Sequence, residues 1–214
     1  MKIINASYEI VNKNRICGIE ILKDIERVGR TCYKSEDKIT NESAKKFVTM
    51  LIEHGHEAMI EHNAISVRFI CDRGVSHELV RHRLASFGQE STRYCNYSKD
   101  KFGNELTFIK PCFWDEDSLE YQRWESQMGL AEEAYLNLIN MGAKPQEARN
   151  VLSNSTKTEI VMTMNIRGWR HFFGLRCDTP AHPQMRELTL PLLKEMSELI
   201  PVVFDDLAEK FLEK

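Results

Sequence analysis

Two β-rich runs, far apart in the chain, set the strongest limit on its fold. AISVRFIC (64–71) and TEIVMTMNI (158–166) both read as strands by their β-branched content. The sequence between and around them is mostly helical in period. CGIEILKDIERVGRTCY (17–33) places Ile19, Leu22, Ile25 and Val28 on one face. A second helix over 43–54 turns Phe47, Met50 and Leu51 inward, with Asn41 or Ser43 as its expected cap. GVSHELVRHRL (74–84) reads as a helix. A long one over 118–141 ends at Gly142, and another starts after Pro145 and carries Arg149. Further helices are expected over 167–175, 183–198 and 201–213. KIINASYEIV (2–11) and ELTFIK (105–110) add strands, while 98–104 and 111–118 look like loops. This order lacks strict β-α-β alternation, so an α+β fold is expected rather than a doubly wound sheet. No repeat, low-complexity segment or linker divides the chain, and its 214 residues fit one domain spanning 1–214.

The net charge is -3, with 29% charged and 42% hydrophobic residues. A mildly acidic chain is a poor non-specific ligand for nucleic acid, so any anion-binding site must be local. No apolar run approaches the ~18 residues that span a bilayer. MKIINASYEIVNKNR has no apolar core of a signal peptide. The six cysteines form no CxxC pair, and reduced thiols in a cytoplasmic protein are expected. Neither nucleic acid nor membrane is expected as a partner.

Three segments concentrate chemistry. RHRLASFGQESTR (81–93) holds Arg81, Arg83, Arg93 and His82 with only Glu90 to offset them. Arginine forks match phosphate or carboxylate oxygens, and the hydroxyls of Ser91 and Thr92 can add donors. The competing reading is a salt-bridged helix end, with Glu78 pairing Arg81 or His82. Ser91 lacks the G-x-S-x-G context of a serine nucleophile. HGHEAMIEH (54–62) invites a metal, but HExxH would need a second His where Ile60 stands. His56 and His62 lie ~240° apart around a helix. A helix terminus at Gly55 with His54 against the dipole, or a polar loop lining a pocket, are the other readings. In NIRGWRHFFGLRCD (165–178), Arg167, Arg170 and His171 would share one helical face, leaving Trp169, Phe172 and Phe173 for the core. RNA binding also uses arginines beside aromatics, but no RNP-like motif is present. Neither GxGxxG nor a P-loop occurs, so any nucleotide is held by another device.

Taken together, Arg81-His82-Arg83, seven residues, then Ser91-Thr92-Arg93-Tyr94 resembles the signature of the flavin-dependent thymidylate synthases. GHEAMIEH (55–62), EARNVLS (147–153) and MNIRGWRHFFGLRCDTPAHPQMREL (164–188) are similar to further segments of that family, in the same order. The resemblance runs over roughly residues 20–210. It implies an α+β fold with a mainly antiparallel sheet packed with several helices. It implies methylation of dUMP to dTMP, with 5,10-methylenetetrahydrofolate as carbon donor, NADPH as reductant and FAD as cofactor, and no metal. It further implies a homotetramer with active sites shared between subunits. By position, Arg81, His82, Arg83, Gln89, Asn165, Arg167, His171, Ala58 and Glu61 would contact FAD. Glu78, Arg81, Gln89, Glu90, Ser91, Thr92 and Arg93 would surround dUMP, with Arg149 reaching its phosphate from a neighbouring subunit. Arg176 would sit by the uracil and favour ionisation at N3. Gln89, Glu78, His171, Pro180 and His182 depart from the family's commonest residues. A non-catalytic nucleotide- or RNA-binding module of the same fold is the alternative.

Overall fold

The computed structural model describes residues 1–213. In chain order the elements are β1 (Lys2–Ile4), β2 (Ser7–Ile10), α1 (Gly18–Tyr33), α2 (Ser43–Glu53), β3 (Ala64–Asp72), α3 (Arg73–Leu79) and β4 (Ser86–Gln89). They continue as β5 (Thr107–Ile109), α4 (Leu119–Asn140), α5 (Pro145–Ala148), β6 (Lys157–Asn165), α6 (Ile166–Arg176), α7 (Pro183–Leu199) and α8 (Asp205–Leu212). One sheet has the order β2-β3-β6-β4 and is antiparallel, whereas β1 and β5 form a separate parallel pair. No helix among the described residues is long and apolar enough to cross a membrane.

The chain folds as two compact units, each built from separate stretches. The first contains Met1–Tyr8, Arg68–Arg81 and Phe87–Met162; the second contains Glu9–Val67, His82–Ser86 and the chain from Thr163 onward. In the first unit, α4 turns Tyr121, Trp124, Met128, Ala131 and Tyr135 inward at alternating three- and four-residue steps. They pack with Tyr97, Leu106, Phe108 and Ala148. Trp124 Nε1 donates to Ser155 Oγ at 3.0 Å, so the ring is buried with its polar edge satisfied.

In the second unit, α1 buries Leu22, Ile25 and Gly29 against Phe47, Val48 and Leu51 of α2. A Cβ at Gly29 would lie 2.5 Å from Phe47 Cε1, so a side chain there cannot be admitted without movement. Glu26 is buried but compensated by Arg30 at 3.0 Å and by Ser43 Oγ at 2.8 Å. Ser43 therefore serves this carboxylate instead of capping α2, whose N-cap is Glu42. On α6, Trp169, Phe172 and Phe173 form the buried face, and Trp169 Nε1 donates to the Ile65 carbonyl at 3.1 Å.

Both long strands show period-two burial, with Ile65, Val67, Phe69 and Cys71 inward on β3 and Ile160, Met162 and Met164 on β6. Several expectations change: Ile19, expected on the inward face of α1, is 47% exposed, because the buried stripe runs through Leu22, Ile25, Glu26 and Gly29. The run 2–11 is two strands, because the chain breaks at Asn5–Ala6 and its halves pair with β5 and β3. The helix expected over 74–84 stops at Leu79. SFGQ becomes β4, a four-residue strand with no buried side chain, defined only by its pairing with β6. The last helix begins at Asp205, after a turn in which Asp205 Oδ2 accepts the Val202 N–H at 2.9 Å.

Candidate active site

In the second unit, β6 hands over to α6 at Asn165, whose side chain caps the helix by accepting the Gly168 N–H at 2.8 Å. Helical spacing then puts Arg167, Arg170 and His171 on one wall of a cavity of about 570 Å³. The other walls include Glu57, Glu61, Arg83, Leu84 and Leu207. Arg167 pairs with Glu57 at 3.4 Å and with Glu61, and its side chain stays half exposed. Arg170 is the buried member: it donates to Glu57 at 3.1 Å, to both oxygens of Asp206 at 2.7 and 2.8 Å, and to the Val203 carbonyl. Five sequence candidates, Glu61, Arg83, Asn165, Arg167 and His171, thus line one cavity. The lining mixes three guanidiniums with the carboxylates of Glu57 and Glu61, which already pair Arg167 and Arg170, and Leu84 and Leu207 offer apolar surface. Ala58 belongs to the 3-10 turn Glu57–His62 that carries the two glutamates. Glu57 and Leu207 were not singled out as ligands, although Glu57 stands in a quoted segment; Arg170 was read only as part of the arginine face of its helix.

His82 is buried, edge-on to Phe172 at 4.9 Å and 6.1 Å from the His171 ring. Its Nε2 lies 2.9 Å from Arg176 Nε. Burial, then the charge of Arg176 and the neighbouring His171, lower its pKa to about 4, so the imidazole is neutral at physiological pH. Arg176 ends α6, and its carbonyl accepts from Thr189 Oγ1 at 3.0 Å. The adjacent Cys177 thiol is buried and pushed up to about 11, which leaves it inert as a nucleophile. His182 caps α7 by accepting the Gln184 N–H at 3.3 Å.

In the first unit, the end of β4 and the residues after it form a second polar cluster. Gln89 Nε2 donates to Ser76 Oγ at 3.0 Å and Thr158 Oγ1 at 3.2 Å. Glu90 turns inward, accepting from Tyr97 OH at 2.9 Å and from Lys157 Nζ at 3.0 Å. Burial and that carboxylate push the Tyr97 phenol well above its ordinary value, so it remains a donor. Ser91 Oγ accepts the Arg93 N–H at 3.3 Å, and Arg93 Nε donates to Gln146 at 3.2 Å. Arg149 donates to Thr92 Oγ1 of its own chain at 3.4 Å. Ser91, Thr92, Arg93 and Arg149 are therefore gathered into one lobe with two guanidiniums. Glu78 and Arg81 stand at the end of α3, where the Arg81 N–H meets the Glu78 carbonyl at 3.3 Å. Tyr97 and Lys157 carried no motif in the sequence.

The family model described as "Thymidylate synthase complementing protein" matches residues 20–202. The chain is 33% identical over 171 residues to a flavin-dependent thymidylate synthase of Pyrococcus furiosus, covering 79% of this chain and 69% of that one. It is 36% identical over 195 residues to the enzyme of that name from Corynebacterium aurimucosum, covering 85% and 78%. The crystal structure of a UMP/dUMP methylase from Streptomyces cacaoi bound with 5-Br dUMP superposes with a TM-score of 0.76 at 22% identity. It covers 99% of this chain and 98% of that one, a likeness of fold.

Proposed function

The chain belongs to the flavin-dependent thymidylate synthases, and we propose that it methylates dUMP to dTMP using 5,10-methylenetetrahydrofolate, NADPH and FAD. The observation that carries this reading is the convergence of Glu61 and Arg83 with Asn165, Arg167 and His171, distant in sequence, around one cavity. These residues would hold the flavin, with Arg83 and Arg167 at its phosphates. When bound, the flavin supplies hydride transfer. The protein's part is to bind, orient and polarise. Arg93 and Arg149 would hold the dUMP phosphate, and the Ser91 hydroxyl would orient the nucleotide. Arg176 would stand beside the uracil as a fixed cation, stabilising negative charge at N3. No protein nucleophile is needed in this reading. One catalytic domain, cytoplasmic and assembled as a homotetramer with shared sites, completes the proposal.

The test is dUMP-dependent NADPH oxidation with and without methylenetetrahydrofolate. The purified protein should be yellow, and its flavin bands should bleach under NADPH without oxygen. A protein that stays colourless with added FAD, or oxidises NADPH without forming dTMP when all substrates are present, would refute it.

A further inference from the structure

Arg176 and His82 meet through a bond whose direction is fixed by chemistry. A guanidinium Nε–H can only donate, so His82 Nε2 must carry the lone pair and its proton must sit on Nδ1. The acceptor is 5% exposed, walled by the Phe172 ring, and Arg176 is held from the other side through its backbone by Thr189. A hydrogen bond at Nε restricts rotation of the guanidinium plane. We propose that His82 is a positioning residue, a neutral imidazole that fixes the plane in which Arg176 meets the uracil ring of the substrate.

This rests on the reading of Arg176 as a substrate contact. It also separates the roles within the Arg81-His82-Arg83 signature. Arg83 lines the flavin cavity, whereas His82 turns to Arg176. The charged and titratable groups bearing on His82 are Arg176 and His171 from α6. Each becomes more unfavourable if His82 takes a proton. A protonated His82 has no lone pair at Nε2 and would release Arg176, so the device works only with the ring neutral.

The first measurement is nitrogen NMR of the flavin-bound protein with labelled histidine. His82 should appear as the neutral Nδ1–H tautomer at about pH 5.5, below the ordinary histidine value. An Nε2–H tautomer or an imidazolium there would overturn the proposal. The second is dUMP affinity of the flavin-bound protein by calorimetry. Losing a hydrogen bond to a charged group should weaken binding about 10- to 100-fold in His82→Leu, which keeps the site apolar but offers no acceptor. His82→Gln, whose carbonyl can accept from Nε, should stay within about threefold. In an Arg176→Ala background, His82→Leu should add nothing further. Losses that add independently, or a Gln variant as weak as Leu with an unchanged melting temperature, would overturn the positioning role. Wild-type dUMP affinity in Arg176→Ala would remove the substrate contact itself, and this arm identifies that failure separately.

Discussion

Arg170→Met tests how one wall of the cavity beside α6 is held. The Arg170 side chain is 10% exposed and joins Glu57, Asp206 and the Val203 carbonyl, so one guanidinium ties the Glu57–His62 turn and α8 to α6. Breaking a fully buried ion pair costs about 3–5 kcal/mol, whereas an exposed pair contributes at most about 1 kcal/mol. Here the cation is inside, but Asp206 is 49% and Glu57 30% exposed, so water relieves the abandoned carboxylates. The expected loss is therefore about 2–3 kcal/mol, or about 4–12 °C in melting temperature for a chain of this size. Burial alone would raise the Asp206 carboxyl, but the hydrogen bonds and charge of Arg170 outweigh it and hold the group below its ordinary value of 3.8. A depressed carboxyl stabilises the fold above its unfolded pKa, and that stability is lost as pH falls through the folded value. The gap between wild type and Arg170→Met should be full at neutral pH and narrow below about pH 4. Urea unfolding across this range is the assay. A loss under about 0.5 kcal/mol at neutral pH, or a gap independent of pH, would refute the reasoning.

Arg176→Ala should abolish dTMP formation while the melting temperature stays within a few degrees, because a half-buried cation is lost without opening a core cavity; near-normal turnover would refute the role. Gly29→Ala should destabilise by about 1–3 kcal/mol in urea despite alanine's higher helix propensity, since the new Cβ would lie 2.5 Å from Phe47. Glu90→Gln should cost about 1–3 kcal/mol at neutral pH, as it leaves Lys157 without one of its two carboxylate partners in a cluster where both side chains are under a fifth exposed; unchanged stability would show the carboxylate to be solvated.

Much of the second unit's site was legible in the sequence, and for local reasons. Helical spacing alone puts Arg167, Arg170 and His171 on one face and Trp169, Phe172 and Phe173 elsewhere, and the structure keeps that division. The ends of α4 and the period-two burial of β3 and β6 follow from the same near-neighbour information. What failed was decided by pairing with distant strands. SFGQ has a glycine, no β-branched residue and no buried side, so nothing within it marks a strand; only hydrogen bonding along β6 makes it one. Asn5–Ala6 did not signal a break, because the split of 2–11 depends on which partner each half finds.

Periodicity and motif spacing are properties of the chain, and they carried most element types and the membership of the family, though not the strand SFGQ or the exposure of Ile19. Only the tertiary structure decided that His82 accepts from Arg176, 94 positions away, and that Glu90 faces Tyr97 and Lys157. A charged side chain's partner depends on which distant groups packing brings within about 3 Å and how much water it leaves there. Neither quantity is written in spacing along the chain.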